Sequence, residues 1–269
     1  MKGMDRRRGY SQEFGVLAPE AGWTPPIRYL LRRDRILRSL RKQPCGSLLE
    51  IGCGAGALLC DLTRLGYSAC GLETSAEALS IAPRIARIAG SAHEVFPTVQ
   101  PGWEESFDVV CAFDVLEHIE EDAAALHEWM RWLKPGGAML LSVPAHRSRW
   151  GAGDIWAGHY RRYDKEDILK LVDACGLQVT EFECYGFPLA NCTEFFGNIA
   201  YRRMIKLRAD QSKEQATASS GVDRRSYARL SGLIGSHAGR GGLAVAMWLQ
   251  AMTRQMDWGS GYLLAARRR

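Results

Sequence analysis

Six side chains in the segment 143–163 are candidates to exchange protons or bind a ligand. They are His146, Asp154, His159, Arg161, Arg162 and Tyr163. An imidazole can take up or release a proton near neutral pH, and a guanidinium matches the two oxygens of a carboxylate or phosphate. The segment follows an apolar run at 138–143 that indicates a strand, and loops at the carboxyl ends of parallel strands line ligand crevices. We therefore expect it to line a binding site. The alternative is that its arginines only pair with the acidic residues of 164–167.

A glycine-rich turn at 52–56 and an acidic residue 21 positions after its start predict a second ligand contact. Gly52, Gly54 and Gly56 follow the apolar run 47–51, where a backbone without Cβ atoms can turn sharply and approach a ligand. Glu73 ends the next apolar run, where a carboxylate can accept two hydrogen bonds from a ribose diol. The pair indicates a nucleoside-containing cofactor. The GxGxG spacing favours a ligand other than a dinucleotide.

The elements that position these groups alternate along the chain. Apolar runs predict strands over 47–51, 68–73, 107–113, 138–143, 177–185 and 261–266. Helical spacing predicts helices over 26–42, 57–65, 76–89, 120–133 and 165–175. Strands and helices in this order are typical of a mostly parallel sheet with helices on both faces. Two helix-like stretches, 188–208 and 230–256, with a polar linker at 209–222, predict a helical insertion before the last strand.

The net charge of +5 over 269 residues divides unevenly along the chain. Residues 1–43 carry a net +7, residues 44–201 a net −11 and residues 202–269 a net +9. Basic flanks around an acidic middle have two explanations: the flanks bind an anionic partner, or they dock on the acidic middle. The sequence leaves both open. At 46% hydrophobic and 24% charged residues, the composition excludes a disordered chain.

The sequence also predicts the compartment. The eight cysteines form no CxxC pair, which favours reduced, buried thiols over a disulfide framework. We expect no signal peptide, because no apolar stretch follows the basic N-terminus, and no membrane-spanning segment, because the longest weakly polar run, 241–252, is too short. We therefore expect a cytoplasmic protein whose contact with membranes is at most peripheral. The sequence has no recognisable nucleic-acid module, so we consider a nucleic-acid partner unfavoured.

Four blocks in this order resemble class I S-adenosylmethionine-dependent methyltransferases of the small-molecule type. The blocks are LLEIGCGAG at 48–56, GLETS at 71–75, FDVVCAFDVLEHI at 107–119 and LKPGG at 133–137. The resemblance implies an α/β, Rossmann-like sheet of seven strands whose last strand is antiparallel. It also implies four segments: a basic N-terminal extension with an amphipathic helix at 1–43, the cofactor-binding core at 44–186, a helical insertion or lid at 187–258, and the last strand with a basic tail at 259–269.

The resemblance assigns S-adenosyl-L-methionine as the cofactor and proposes residues that hold it. Glu50 and the glycine turn would surround its methionine part, Glu73 its ribose hydroxyls, and Ser91 or His93 its adenine. Asp114 would lie near its amino group or the reaction centre. The complete set of cofactor residues is Glu50, Gly52, Cys53, Gly54, Gly56, Glu73, Thr74, Ser91, His93 and Asp114.

The same resemblance predicts methyl transfer to an oxygen or nitrogen of a small, anionic or amphiphilic acceptor. His159 and Asp114 are the catalytic candidates, with His159 as the base or acceptor-orienting group. Substrate-binding candidates are His146, Asp154, Arg161, Arg162 and Tyr163. Asp114, Glu117 and His118 have metal-ligand side chains, but packing at a helix start is the favoured role and we expect no metal. The alternatives are an RNA methyltransferase and a non-catalytic protein that binds the cofactor.

Overall fold

The computed structural model describes residues 9–205 and 236–269. Its centre is a seven-stranded sheet formed by β3 (Ser47–Ile51), β4 (Ser68–Leu72), β5 (Glu94–Phe96), β6 (Phe107–Phe113), β7 (Leu133–Pro144), β8 (Leu177–Tyr185) and β9 (Gly261–Arg268). The strand order is β5-β4-β3-β6-β7-β9-β8. All neighbours are parallel except β9, which runs antiparallel to both β7 and β8. This is the predicted Rossmann-like methyltransferase topology, so the expected fold is confirmed.

Helices cover both faces of the sheet. They are α1 (Ile27–Leu40), α2 (Leu59–Arg64), α3 (Ala76–Ala89), α4 (Asp122–Trp132), α5 (Ala152–Ala157), α6 (Lys165–Ala174), α7 (Leu189–Ile205) and α8 (His237–Thr253). One apolar cluster joins alternate residues of the central strands to Trp129 and Ile168, and another joins the opposite residues to α1 and α2. A fully buried parallel sheet needs apolar residues on both faces, which explains the near-continuous apolar runs in the sequence.

A short hairpin precedes the core, with β1 at Tyr10–Ser11 and β2 at Gly15–Val16. Together with α1 it packs on α3 and α8 through a third apolar cluster. The helices α7 and α8 both lie within 187–258, the segment for which the sequence predicts an insertion. The predicted linker at 209–222 lies outside the described residues.

The start of β7 differs from the prediction. We expected LKPGG to end a helix and a strand to begin at Ala138, but β7 already begins at Leu133. Leu133 pairs with Phe107, and the register then shifts before Ala138 pairs with Val109. Lys134 also forms an ion pair with Asp108 at 2.9 Å. This register shift is a β-bulge, and β7 therefore continues through Gly136 and Gly137. Hydrophobic periodicity does not reveal such a local irregularity.

The basic residues of α1 dock on the acidic core. Arg33 pairs with Asp61 at 2.6 Å, and Arg35 pairs with Glu183 of β8 at 2.7 Å. Both arginines are buried. At the other end of the chain, Arg268 pairs with Glu105 at 2.9 Å. For these residues the structure supports docking, the second explanation of the uneven charge.

All eight cysteines lie among the described residues and none forms a disulfide. Within 9–205 and 236–269, no helix combines the length and apolar character needed to cross a bilayer.

Candidate active site

The glycine turn connects β3 to the segment before α2, and its backbone is left-handed, a conformation that glycine adopts without steric cost. Gly52 has φ 64° and Gly54 has φ 56°. A Cβ at Gly52 would approach Val115 Cγ2 to 2.5 Å, whereas a Cβ at Gly54 would enter open space. Glu73 fixes this turn: its Oε2 accepts a hydrogen bond from Gly54 N and its Oε1 one from Ser75 N, both at 2.7 Å. The carboxylate predicted to bind a ribose thus lies directly beside the glycine turn.

A cavity of about 390 Å³ opens next to this turn. Five parts of the chain line it: the segment 23–32, the glycine turn with Glu50, the segment 113–118 after β6, the α5 region to Arg162, and α7. Because the strands β3 and β6 are adjacent and parallel, their carboxyl ends bring the second and third parts together. Helices α1 and α7 enclose the cavity from outside the sheet.

Asp114 lies in the cavity in a left-handed conformation, with φ 54°. Its Oδ2 forms an ion pair with Arg32, and Arg28 lies 3.9 Å away. Its Oδ1 accepts a hydrogen bond from Ser142 Oγ at 3.0 Å. Burial opposes ionisation of Asp114, but the two guanidinium groups outweigh it and lower the pKa of the carboxyl. Asp114 is therefore held as a carboxylate.

The pKa values of two other carboxyl groups in the cavity are raised, whereas that of Asp114 is lowered. Glu117 is fully buried, and neither of its oxygens has a hydrogen-bond partner among the described residues. Burial and the nearby Asp114 charge raise the pKa of Glu117 well above its usual range. Burial likewise raises the pKa of Glu50 to about 8. At neutral pH Glu50 is therefore mostly protonated, and a protonated carboxyl group can act as a donor as well as an acceptor.

His159 projects into the cavity from the turn after α5. Its Nδ1 lies 2.9 Å from Asp154 Oδ1, which also accepts a hydrogen bond from Arg162 Nε at 2.8 Å. Burial opposes ionisation of Asp154, but the hydrogen bonds from His159 and Arg162 lower its pKa to about 2. An ionised Asp154 keeps the proton of a neutral imidazole on Nδ1 and leaves Nε2 as an acceptor. Nε2 lies 4.0 Å from Glu117 Oε1.

The structure brings together about half of the residues predicted for the site. Those lining the cavity are Glu50, Gly52, Cys53, Gly54, Asp114, Asp154, His159 and Arg162. Glu73 accepts a hydrogen bond from Gly54 of the glycine turn, and Gly56 lies near His93.

The other predicted residues do not line the cavity. Arg161 pairs with Asp122 at 2.6 Å, and Tyr163 donates a hydrogen bond to the same carboxylate. Ser91 contacts His93 Nδ1 at 3.0 Å, and Thr74 is exposed. His146 lies near Tyr262 and Asp257 at the end of β7. The partners of both arginines also differ from the acidic residues at 164–167 that the sequence suggested, since Arg162 pairs with Asp154 and with Glu194 of α7.

Sequence reasoning missed the residues that α1 and α7 contribute. Arg28 and Arg32 reach Asp114 from α1, and Glu194, Asn198 and Tyr201 reach the cavity from α7. Tyr201 stacks on Trp156 with ring centroids 4.8 Å apart. A usable signal was present in α1, whose arginines are too numerous for a helix that only covers an apolar face.

Glu117, His118 and His159 together have the side chains of a divalent-cation site. Their ligand atoms all lie within 4.8 Å of one another. His159 takes the place that the sequence suggested for Asp114, because the Asp114 carboxylate faces the guanidinium groups of α1. Burial and the neighbouring His159 lower the pKa of His118 to about 3, so its imidazole is neutral.

Comparisons with known proteins give consistent results. A family model described as "Methyltransferase domain" matches residues 27–181. The ubiquinone biosynthesis O-methyltransferase of Nitrobacter winogradskyi is 36% identical over 55% of this chain and 62% of its own length, so the match spans less than two thirds of that relative. The enzyme of the same name from Rhizobium johnstonii is 24% identical over 68% of this chain and 88% of its own. A putative sarcosine dimethylglycine methyltransferase from Galdieria sulphuraria has the same fold, with a TM-score of 0.56, 16% identity and coverage of 97% of this chain and 94% of its own.

Proposed function

The chain belongs to the class I S-adenosylmethionine-dependent methyltransferases, and we propose that it methylates a hydroxyl oxygen of a small, lipid-like aromatic acceptor. The observation that carries this proposal is the arrangement of His159, whose Nε2 faces the cavity while Asp154 holds Nδ1. A hydroxyl acceptor must lose a proton during methyl transfer, and an imidazole held in this way can accept it.

The residues beside the glycine turn fit the cofactor. The open space at Gly54 allows close approach of a ligand, and the buried Glu50 Oε2 has no hydrogen-bond partner among the described residues. Glu50 and Asp114 would receive the amino end of S-adenosylmethionine, and Glu73 its ribose hydroxyls. When bound, the cofactor supplies a sulfonium methyl group that a nucleophile attacks. The protein's main task is then to align the acceptor with that methyl group and to remove the proton.

In the proposed reaction His159 Nε2 takes the proton from the acceptor hydroxyl as the new oxygen–carbon bond forms. The Asp154 carboxylate stabilises the resulting imidazolium through Nδ1. Arg162 keeps Asp154 ionised and oriented. Asp114, also predicted as catalytic, is less suited to be a base, because its ion pair with Arg32 lowers its proton affinity. We assign it to cofactor positioning.

The cavity favours an amphiphilic acceptor over an anionic one. Its three arginines each have a carboxylate partner: Arg28 and Arg32 share Asp114, and Arg162 pairs with Asp154 and Glu194. Each of these described arginines thus has a carboxylate as ion-pair partner, although Arg28 shares Asp114 with Arg32 and its Nε has no hydrogen-bond partner among the described residues. The exposed apolar side chains Phe195 and Phe196 of α7 and Trp248 and Met252 of α8 would suit a lipid tail. The relatives' name, ubiquinone biosynthesis O-methyltransferase, points to the same class of acceptor.

The test is methyl transfer from labelled S-adenosylmethionine to three probes: catechols with alkyl chains of increasing length, 3,4-dihydroxybenzoate, and bulk transfer RNA. We expect label in the alkyl catechols, with kcat/KM rising with chain length. Preference for dihydroxybenzoate would favour an anionic acceptor, and label in RNA would favour the RNA methyltransferase alternative. Binding of S-adenosylhomocysteine without label in any probe would support the non-catalytic alternative.

A further inference from the structure

A second group of ligand-type side chains lies outside the cavity, where the insertion returns to the sheet. His146 follows β7, Cys184 is in β8, and Asp257 lies between α8 and β9. The imidazole nitrogen, the sulfur and a carboxylate oxygen all lie within 4.8 Å of one another. None of the three residues lines the cavity, so the proposed methyl transfer does not use them.

Separate contacts hold each of these side chains in place. His146 has φ 63° and donates its backbone N–H to Tyr163 O, and its ring lies beside Asp257. Its Nε2 is buried and has no hydrogen-bond partner among the described residues, and it lies 3.7 Å from Asp257 Oδ1. Cys184 is buried, and its sulfur accepts a hydrogen bond from Gly259 N at 3.1 Å.

Neighbouring groups complete a second layer around the cluster. Tyr262 Oη donates to Asp257 Oδ1 at 2.7 Å and lies 3.4 Å from His146 Nδ1. A hydrogen bond to the remote imidazole nitrogen is what orients histidines that bind metals. Arg149 donates to the carbonyl of Gly259 at 2.8 Å, and no arginine or lysine among the described residues forms an ion pair with Asp257.

We propose that His146 Nε2, Cys184 Sγ and Asp257 bind a zinc-type divalent cation. Sulfur, imidazole and carboxylate together are the donor set that Zn²⁺ prefers over the harder Mg²⁺ and Ca²⁺. In a tetrahedral zinc site, bond lengths of about 2.0 to 2.3 Å place neighbouring ligand atoms about 3.3 to 3.6 Å apart. The 3.7 Å between His146 and Asp257 is close to this spacing, and the other pairs need to move by about 1 Å.

The exposure of the side chains agrees with this assignment. The Asp257 side chain is 51% exposed and gives an entry path and a place for water as the fourth ligand, whereas the His146 side chain is 14% exposed. The bound cation would join the ends of β7 and β8 to the segment that leads from α8 into β9.

The test is a Co²⁺ titration of the chelator-treated full chain, followed by absorption. A cobalt–thiolate bond gives a near-ultraviolet charge-transfer band, which the cavity cluster of Glu117, His118 and His159 cannot give. In the wild type we expect the band to saturate at one equivalent of Co²⁺ and to disappear when Zn²⁺ displaces the Co²⁺. Cys184→Ser should abolish it, and the matched control Cys192→Ser, at an exposed cysteine, should keep it.

Asp257→Asn provides the second variant, because this half-exposed residue can be changed without disturbing the core. It should weaken the apparent Co²⁺ affinity at least tenfold while the unfolding transition stays unchanged. The absence of a band in the wild type, its persistence in Cys184→Ser, or an unchanged affinity in Asp257→Asn would each overturn the proposal. None of these outcomes depends on methyltransferase activity.

Discussion

The guanidinium of Arg32 and the carboxylate of Asp114 form an ion pair that joins α1 to the end of β6. Asp114 comes from the sheet and Arg32 from the helix that precedes it, so the cavity is completed only when α1 docks. The basic helix α1 thus lines the candidate active site as well as covering the apolar core.

We expect this pair to couple the helix to the sheet energetically. Arg32→Met and Asp114→Asn should each lower the free energy of unfolding by about 2 kcal/mol, since each leaves a partly buried charge or dipole without its partner. The double variant should lose at least 1 kcal/mol less than the sum. Urea unfolding at pH 7 measures all three.

Arg38→Met is the matched control for this cycle, because Arg38 lies on the same helix but pairs with Asp34 at an exposed position. It should change the free energy of unfolding by less than about 0.5 kcal/mol. Strictly additive losses in the Arg32 and Asp114 variants would contradict coupling between them.

Gly54→Ala tests the proposed contact between the glycine turn and the cofactor. Its Cβ would enter space that we assign to the cofactor, so the Kd for S-adenosylhomocysteine should rise at least tenfold in calorimetric titration. Gly90→Ala is the control: Gly90 has a similar φ of 61° and open space around it, but it ends α3 away from the cavity. Both variants should lose about 1 kcal/mol of stability from the strained backbone. Equal Kd values for S-adenosylhomocysteine in the two variants would rule out the proposed contact between Gly54 and the cofactor.

His159→Gln tests the proposed base. With the alkyl catechol probe, kcat should fall by about 10²- to 10⁴-fold, the usual contribution of a general base. The Kd for S-adenosylhomocysteine should stay within about threefold, since no cofactor contact is assigned to His159. His127→Gln, at an exposed histidine of α4, should leave kcat unchanged. A wild-type kcat in His159→Gln would end the proposal.

Glu50→Gln tests the protonated carboxyl in the cavity. Burial raises the pKa of Glu50 to about 8, compared with about 4.3 in an unfolded chain. The folded protein therefore holds a proton that the unfolded chain lacks, and Glu50 reduces stability progressively as pH rises from about 4.3 to 8.

Glu50→Gln should accordingly become more stable relative to the wild type between pH 5 and pH 8, by about 3 to 4 kcal/mol. Urea unfolding of the cofactor-free protein at the two pH values measures the change. The exposed Glu104 gives the control variant Glu104→Gln, which should show no such trend. A difference independent of pH would mean that Glu50 is ionised in the folded protein.

The strands and the glycine turn could be predicted because their signals are local. The apolar run 107–113 coincides with β6, and the turn at Gly52 and Gly54 has the backbone that its glycines suggest. The early start of β7 could not be predicted, because the pairing of Leu133 with Phe107 depends on a register shift in a neighbouring strand.

The candidate site was predictable where residues follow strand ends and unpredictable where distant elements meet. Asp114 and the glycine turn follow adjacent parallel strands, so their proximity follows from topology. The ion pairs of Arg32, Arg161 and Arg162 do not follow from topology. Each joins two segments whose contact is set by tertiary packing. Periodicity identifies an amphipathic helix but carries no information about which carboxylate its charges will meet.

The position of β9 between β7 and β8 also constrains how the chain can change. Among the described strands β8 pairs only with β9, and residues 186–260 connect the two along the chain. The entropic cost of closing such a long connection grows only with the logarithm of its length, so doubling or halving it changes that cost by about 0.6 kcal/mol. A one-residue slip of β9, in contrast, would turn its buried side chains to the wrong face. Chain entropy therefore constrains the length of this connection only weakly, whereas the register of the final strand is strongly constrained.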